Sequence, residues 1–332
     1  MKCKKILAAV LALAMVGSML VGCSGAETSF PDPEKTITLI VPQAAGGSTD
    51  TQARQLVEAM KDVSGNNNII VENVTGGSTG TGTNQVINSE PDGYTLLMYG
   101  TYVVCGTMTG YTDGHKALDF LDGLTMEPFV LAVNADSPYQ SFADLMDAAK
   151  VNPGQMTLGN AGATATTGIV AYGLNNALGT PFNVVSFNGG AELIPAVLGG
   201  HCDAGIFSQS EVLANSSGLR PLVFFGDGHS PLAELKDIPN LAESGYEDLT
   251  VPGGCFRGIC APKGLSEEAK TYLADLIEKA YNTDAFQTYM KEQGLMGEFS
   301  KLKDFEAYNE EMITQMKPIV QATGLAAGEY AE

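Results

Sequence analysis

Residues 37–50 read ITLIVPQAAGGSTD, and this stretch determines the class of fold. Its first five residues form an almost continuous apolar run, which is typical of a parallel strand buried on both faces. A glycine pair follows, and apolar residues then recur at helical spacing at Ala53, Leu56, Val57 and Met60. A strand, a glycine loop and a helix make half of a βαβ unit, so the pattern predicts an α/β fold. In such folds, ligands bind in loops beyond the carboxyl ends of the strands.

The same alternation continues along the chain. Apolar runs at residues 69–71, 94–98 and 129–133 predict further strands. Ser141 and Ser266 precede helical patterns at positions where an N-cap is expected. The chain has 332 residues, which is more than a single core usually holds, so we expect two lobes.

The N-terminal segment has the features of an export signal. Three lysines among the first five residues precede an apolar run over residues 6–16, which is too short to span a bilayer. Small residues then lead to Cys23, and this arrangement resembles the lipobox of bacterial lipoproteins. We therefore expect residues 1–22 to be removed, Cys23 to be lipidated, and residues 23–29 to tether the protein outside the cytoplasmic membrane. The alternative is an ordinary signal peptide that contains a cysteine by chance.

The chain is strongly acidic. Its formal net charge is −20, from 18 Lys and Arg residues against 38 Asp and Glu residues. Three of the basic residues and none of the acidic ones precede Cys23, so the chain from Cys23 onward carries a formal charge of −23. Such a charge repels nucleic acid and anionic lipid headgroups, and no basic stripe offsets it. We therefore predict that the protein does not bind nucleic acid.

Four cysteines follow Cys23: Cys105, Cys202, Cys255 and Cys260. Cys255 and Cys260 lie five residues apart on a predicted strand, so their side chains face opposite sides and cannot form a disulfide. Other pairings stay open, and buried free thiols are the simplest interpretation. His201 and Cys202 have no second cluster of metal ligands nearby in the sequence, so we predict no metal site.

Five loops combine glycine with hydroxyl or amide side chains: residues 46–49, 76–80, 100–101, 162–167 and 188–190. Glycine allows the backbone to approach a ligand closely, and the free N–H groups of a helix N-terminus bind anions without a formal positive charge. Any one of these loops is explained equally well as a tight turn or an N-cap. Together they indicate a small anionic ligand.

Further motifs occur in unbroken order between about residue 30 and residue 325: Pro31-Asp32-Pro33, Val71-Glu72-Asn73, residues 91–97, Asn160-Ala161-Gly162, Gly199-Gly200 with Asp203, residues 238–245 and Ala261-Pro262. With residues 37–50, they resemble the substrate-binding proteins of tripartite tricarboxylate transporters, the TctC or Bug family. The resemblance implies a type II periplasmic-binding-protein-like α/β fold, with two α/β lobes and a ligand cleft between them. Lobe I would contain residues 30–127 and 253–332, and lobe II would contain residues 128–252.

The resemblance also implies a function. The protein would be a lipid-anchored receptor on the extracytoplasmic side of the cell membrane. It would capture a small carboxylate and deliver it to the integral membrane permease subunits of a transporter. A ligand-sensing receptor for a membrane signalling partner would use the same fold and cleft, so it remains an alternative.

The resemblance further implies which residues bind the ligand. In the family, the loop after the first strand and a loop of the second lobe hold it, here residues 43–50 and 161–167. The predicted ligand-binding residues are Gln43, Gly47, Ser48, Thr49, Asp50, Gly77, Thr79, Tyr99, Thr101, Gly162, Ala163, Thr164, Thr166, Thr167, Asn188, Gly189, Asp203 and Ser208. Arg257 is the one nearby cation, but on a strand it is equally able to pair with one of the many acids, so it is left outside this set. Gln43 and Phe187-Asn188 replace an aromatic residue and a Tyr-Lys pair that are usual in the family. These replacements favour a ligand that is less charged or that carries an amine or hydroxyl groups.

An enzymatic function has little support in the sequence. The histidines His115, His201 and His229 lie in no recognisable catalytic motif such as HExxH. The glycine-rich residues 76–82 lack the Gly-Lys-Ser/Thr ending of a phosphate loop and the Rossmann spacing. We therefore predict neither an enzyme nor a cofactor, and a hydrolase with a triad from distant residues is the remaining enzymatic alternative.

Overall fold

The first predicted unit is present in the computed structural model. Ile37–Val41 forms strand β1, and Ser48–Ser64 forms helix α1, whose buried face contains Ala53, Leu56 and Met60. The structure describes residues 30–179, 182–297 and 299–332. The predicted signal peptide, the lipidation site Cys23 and the tether lie outside the described residues, and the description below concerns the unit that residues 33–332 form.

The remaining strands, in chain order, are β2 (Ile69–Asn73), β3 (Thr95–Gly100), β4 (Leu118–Asn134), β5 (Thr157–Asn160), β6 (Asn183–Ser186), β7 (Ala204–Ser208), β8 (Leu219–Phe224), β9 (Gly254–Pro262) and β10 (Ser300–Lys301). The remaining α-helices are α2 (Gly80–Ile87), α3 (Thr101–Met108), α4 (Phe142–Val151), α5 (Thr166–Leu178), α6 (Gly190–Leu198), α7 (Gln209–Ala214), α8 (Glu267–Tyr281), α9 (Asp284–Gln293) and α10 (Lys303–Ala322). Strands and helices alternate through much of the chain, and the predicted α/β class is confirmed.

The strands follow the order β2-β1-β3-β9-β4-β7-β5-β6, and β8 and β10 also pair with β4. β1 is parallel to β2 and β3, and β5 is parallel to β6 and β7. β9 is antiparallel to both β3 and β4. The sheet therefore consists of two mostly parallel groups of strands joined through the long antiparallel strands β4 and β9.

Strand β4 belongs to both groups of strands. Residues from Leu118 to Pro128 pair with β9, whereas residues from Phe129 onward pair with β7 and, from Val130, with β8. The change of partner lies next to the predicted boundary between the lobes at residues 127 and 128. The division into lobes itself stays a prediction.

Two predicted N-caps have the expected hydrogen bonds. Ser141 Oγ accepts from Asp144 N–H at 3.1 Å, and the Asp144 carboxylate accepts from Ser141 N–H at 3.0 Å, which makes a capping box for α4. Ser266 Oγ accepts from Ala269 N–H at 3.2 Å at the start of α8. Each cap satisfies N–H groups that have no partner within their helix.

The four cysteines of the described residues are free and buried, as predicted: Cys105, Cys202, Cys255 and Cys260. Cys255 and Cys260 both lie on β9. Burial raises the pKa of the Cys105 and Cys260 thiols, because a thiolate loses its hydration in the protein interior. These thiols are therefore part of the apolar core.

Candidate functional site at a cleft between helix N-termini

A cleft is lined by the first residues of α1, α5 and α6. Ser48 and Thr49 begin α1, Thr166 and Thr167 begin α5, and Gly190 begins α6. The N-terminus of a helix presents backbone N–H groups without an intrahelical partner and carries a partial positive charge. The cleft thus combines donors suited to an anion, at the carboxyl ends of strands where the fold class places ligands.

Arg257, on β9, is buried beneath this cleft and is held by protein groups. Its Nε donates to Thr49 Oγ1 at 3.2 Å, and its Nη2 donates to Ser48 Oγ at 2.7 Å and to Ser208 Oγ at 3.4 Å. Its Nη1 donates to Gln52 Oε1 at 3.3 Å and forms an ion pair with Glu127. All five guanidinium N–H groups are therefore used within the protein.

The Arg257–Glu127 pair is nearly inaccessible, with exposed side-chain fractions of 2% and 0%. Burial alone would lower the pKa of Arg257, but the Glu127 carboxylate outweighs this effect and raises it, so the guanidinium stays charged. Glu127 Oε1 also accepts from Ser210 N–H at 3.2 Å and from the Ser210 hydroxyl. The pair thereby joins the crossing strands β4 and β9 to the starts of α1 and α7.

Glu211 is the other carboxylate at the cleft. Its Oε1 accepts from Ser48 N–H at 3.1 Å, and its Oε2 accepts from Ser208 N–H at 3.0 Å. Burial and the nearby Glu127 carboxylate raise the pKa of Glu211, although the two backbone N–H groups oppose this shift. Its carboxylate is packed so closely on Gly190 that a Cβ atom there would overlap it.

Three hydrogen bonds join loops that are far apart in the sequence, two of them at the cleft and the third beside it. Ser48 Oγ donates to Ser208 Oγ at 2.9 Å, and Ala44 N–H donates to Asn188 O at 3.0 Å. Thr164 N–H donates to Ser78 Oγ at 3.3 Å. The cavity that remains has a volume of about 30 Å³, whereas small-molecule sites commonly have ~300–1,000 Å³. A ligand of more than a few atoms therefore requires the two sides of the cleft to separate.

Thr166 is 2% exposed and lines the cleft, and its buried hydroxyl has no ordinary hydrogen-bond partner. Its neighbours include the thiols of Cys105 and Cys255, which are weak hydrogen-bonding groups. The buried hydroxyls of Thr79 and Thr164 also have no partner. Buried hydroxyls are usually satisfied, so the one that lines the cleft marks a position for a polar group of a ligand.

The structure brings eight of the predicted residues to the cleft: Gln43, Gly47, Ser48, Thr49, Thr166, Thr167, Gly189 and Ser208. Thr167 Oγ1 accepts from Ala161 N–H at 2.9 Å and so fixes the loop that precedes α5. Gln43 contributes its backbone carbonyl to Asn73 Nδ2 at 3.0 Å.

Several predicted residues support the cleft from behind or lie beside it. Asp50 accepts from Gly46 N–H at 2.8 Å, from Arg54 Nε at 2.9 Å and from Asn73 Nδ2 at 2.9 Å. Burial opposes ionisation of Asp50, but these hydrogen bonds prevail and lower its pKa. The predicted residues beside the cleft, on the segments joined by the Thr164–Ser78 hydrogen bond, are Gly77, Thr79, Gly162, Ala163 and Thr164.

Four other predicted residues do not line the cleft. Tyr99 is fully buried and bonded to Asn309 of α10, and Thr101 Oγ1 accepts from Phe256 N–H at 3.0 Å. The exposed side chain of Asn188 is turned to Glu192. Asp203 accepts from Thr157 N–H at 2.7 Å and precedes β7, whereas Ser208, at the other end of that strand, lines the cleft.

Cleft-lining residues outside the predicted set are Ala44, Tyr102, Phe129, Ala161, Ala165, Gly190, Ile206, Glu211, Cys255 and Arg257. Arg257, the one nearby cation that the sequence offered, pairs with the acid Glu127, and its guanidinium also contacts Ser48 and Thr49 of a predicted ligand loop. Glu211 had one sequence signal, since it lies three residues after Ser208 in a capping-box pattern. No local pattern predicts that its carboxylate also reaches Ser48.

Within the described ranges, no group of three or more His, Cys, Asp or Glu side chains has the arrangement of a metal site. The helices of the described residues also include none with the length and apolar character needed to cross a membrane.

An α/β chain with helix N-termini around a cleft has the architecture of extracytoplasmic solute-binding proteins. The family described as the tripartite tricarboxylate transporter family receptor, TctC, matches residues 52–325, and the chain belongs to this family. Its members are extracytoplasmic receptors and not enzymes, as the sequence predicted.

Known proteins similar to this chain agree with that assignment. The "UPF0065 protein in gbd 5'region" of Cupriavidus necator is 28% identical over 305 residues, which are 90% of each chain. The periplasmic binding protein BugD has a TM-score of 0.82 at 24% identity, over 89% of this chain and 99% of its own. MatC from Rhodopseudomonas palustris, solved with bound malate, has a TM-score of 0.78 at 21% identity, over 87% of this chain and 100% of its own. These similarities confirm the periplasmic-binding-protein-like fold.

Proposed function

We propose that the protein is a lipid-anchored receptor that binds a small carboxylate and delivers it to the integral membrane subunits of a tripartite transporter. The ligand would bind between lobe I, residues 30–127 and 253–332, and lobe II, residues 128–252. Membership of the receptor family supports the transport role. The malate bound to the similar protein MatC supports a carboxylate as the class of ligand.

The observation that carries the proposal is the buried, unpartnered hydroxyl of Thr166 in the cleft. It lies in the first turn of α5, where backbone N–H groups favour an anion. A carboxylate oxygen placed there accepts from the hydroxyl and from the helix N-terminus together. The site then binds an anion without a free arginine or lysine, because the N–H groups of Arg257 are already used within the protein.

The narrow cleft implies a binding cycle. The cross-cleft bonds of Ser48 with Ser208 and of Ala44 with Asn188 hold the two sides together. In the proposed cycle these bonds break, the lobes separate, the ligand enters, and closure excludes water around it. A ligand shifts this equilibrium only as far as it binds one state more tightly than the other.

The direct test is a thermal-shift screen of the purified protein against a carboxylate library, because a ligand that binds only the folded state raises the melting temperature. For a ligand found in this way, Thr166→Val should weaken binding by about 1–2 kcal/mol, since it removes one hydroxyl and keeps the shape. Thr314→Val is the matched control, because Thr314 is exposed on α10 and bonds only within its helix. The proposal fails if no carboxylate stabilises the protein.

The anchor is tested separately. Cys23→Ser should leave the receptor folded and release it from the membrane fraction, because the lipidated thiol is absent. Retention of this variant after a wash that removes peripheral proteins would contradict lipidation at Cys23.

A further inference from the structure

We propose that the ligand carries a protonated amine in addition to its carboxylate, and that Glu211 binds this amine. The inference rests on the proposed function and concerns the same cleft. It names a specificity-determining residue and a narrower chemical class of ligand, an amino carboxylate.

The first step concerns the position of the Glu211 carboxylate. It accepts from Ser48 N–H of α1 at 3.1 Å and from Ser208 N–H before α7 at 3.0 Å, and it packs against Gly190 of α6. The N-terminus of α1 is thus already used by an anion of the protein, the Glu211 carboxylate. A ligand carboxylate cannot use the same N–H of Ser48 while Glu211 holds it.

The second step concerns charge balance. Arg257 is the one arginine or lysine that lines the described cleft, and its N–H groups are used by Glu127, Gln52, Ser48, Thr49 and Ser208. It makes no ion pair with Glu211 in the described structure. The Arg257–Glu127 pair is neutral as a whole, so the Glu211 carboxylate leaves the cleft with an excess negative charge.

The third step concerns what relieves this excess charge. A second carboxylate on the ligand would be repelled by Glu211, whereas an ammonium group would gain charge-assisted hydrogen bonds to it. The buried Thr166 hydroxyl lies on a different helix and still lacks a partner. The cleft therefore offers separate positions for the two ends of an amino carboxylate: Thr166 and the α5 N-terminus for the anion, and Glu211 for the cation.

The experiment compares matched ligands by calorimetry on the purified protein. Succinate is paired with β-alanine, glutarate with γ-aminobutyrate and adipate with δ-aminovalerate, so that nitrogen replaces one carboxylate carbon. Lactate is paired with alanine to cover an amine next to the carboxylate. Wild type should bind the amino member of at least one pair on the order of 10-fold more tightly than its partner, as expected for a hydrogen bond between charged groups.

Glu211→Gln should abolish or reverse that preference, because it removes the charge and keeps the size of the side chain. Glu58→Gln is the control, since it removes an equal charge from the exposed face of α1, where Glu58 pairs with Lys61, and should retain the preference. Should Glu211→Gln not fold, Glu211→Asp takes its place: it keeps the charge but withdraws it by one methylene, so it should weaken binding of the amino member more than binding of its partner, and equal weakening of both would overturn the role of Glu211.

Two results would overturn the inference: tighter binding of the partner without the amine by wild type in every pair, or an unchanged preference in folded Glu211→Gln. In both cases a carboxylate still binds, and the proposed function stands. If no carboxylate of either class binds in this panel or in the library screen, the proposed function itself fails.

Discussion

Thr49 and Thr166 have the same sequence signal, a threonine at the start of a helix after a glycine-containing loop, but the structure gives them different environments. Thr49 Oγ1 accepts from Arg257 Nε at 3.2 Å, whereas Thr166 Oγ1 has no partner. From the sequence alone, the same effect is expected for a valine substitution at either residue. These contacts indicate that the Thr49 hydroxyl supports the fold, whereas the Thr166 hydroxyl is left for the proposed ligand.

Thr49→Val should lower the free energy of unfolding by about 1–3 kcal/mol, because it leaves a charged, buried N–H group of Arg257 without an acceptor. Thr166→Val should leave the free energy of unfolding nearly unchanged, because the fold loses only weak contacts of this hydroxyl with the Cys105 and Cys255 thiols. Urea denaturation of both variants measures the difference. Equal destabilisation by the two substitutions would contradict the separate roles.

Asp122 should make stability depend on pH. It is fully buried, and neither carboxylate oxygen has a hydrogen-bond partner. Burial raises its pKa from 3.8 to about 8; Lys301 opposes the shift, and Glu278 and Asp275 add to it. The folded state therefore binds more protons than the unfolded state between these values, so the contribution of Asp122 to stability falls as the pH rises from about 4 to about 8.

Asp122→Asn removes this titration and should flatten the dependence over that range. Denaturation of wild type and variant at about pH 5 and about pH 8 provides the comparison. If both proteins change stability equally between the two conditions, Asp122 does not titrate in this range.

Sequence reasoning predicted those cleft residues whose position depends on a local pattern, such as the start of a helix after a glycine. Gly47, Ser48, Thr166 and Thr167 lie at helix starts that periodicity and glycine already predict. Glu211 reaches the cleft through a contact between residues 163 positions apart, and no local pattern encodes such a contact. Tertiary packing also explains why Tyr99, which follows a correctly predicted strand segment, is buried against α10.

At the scale of secondary-structure elements, β1 and α1 were predictable because their burial is uniform along the strand and one-sided along the helix. β4 was predicted only over residues 129–133, although it extends from Leu118 to Asn134. Its earlier part carries Asp119, Asp122 and Glu127, and such residues do not indicate a buried strand. Glu127 is tolerated there because the fold supplies Arg257 as its partner.

The start of α6 packs on Glu211, and this contact predicts unequal effects for two glycines. In Gly190→Ala the new methyl group would overlap the Glu211 carboxylate, which then must leave Ser48 N–H and Ser208 N–H. We expect a loss of about 1–3 kcal/mol in the free energy of unfolding. Gly47→Ala is the matched control at the start of α1, where the methyl group would lie at an ordinary 3.4 Å from Glu211 Oε1.

Chemical denaturation of the two glycine variants compares them directly. A stability of Gly190→Ala equal to that of wild type would mean that Glu211 moves without losing its hydrogen bonds. A large loss of the free energy of unfolding in Gly47→Ala would show that the loop before α1 accepts no side chain at this position.

For the whole molecule, the proposed cycle requires the two sides of the cleft to separate. Ser48 Oγ and Ser208 Oγ are 2.9 Å apart, so a double Ser48→Cys, Ser208→Cys variant brings two thiols within reach of each other. Oxidation should join the two sides, stop ligand uptake and trap any ligand already bound. Reduction should restore exchange, which calorimetry or release of a labelled ligand measures.

Each single cysteine variant serves as the control for the loss of a serine hydroxyl. Normal ligand exchange in the oxidised, cross-linked double variant would rule out separation of the two sides at this point. Cys105, Cys202 and Cys260 are buried outside the cleft lining, whereas Cys255 lines the cleft, so all these variants also carry Cys255→Ser to prevent a competing disulfide.

The positions of two thiols on one strand have a consequence for timing. Cys255 lines the cleft, whereas Cys260 lies five residues further along β9 and is fully inaccessible. In the proposed cycle, a water-soluble alkylating reagent should reach Cys255 in the open state, whereas it should reach Cys260 only when the sheet comes apart. The ratio of the two alkylation rates therefore compares the fraction of time that the cleft is open with the fraction of time that the molecule is unfolded. A ligand that keeps the cleft shut brings the two rates together.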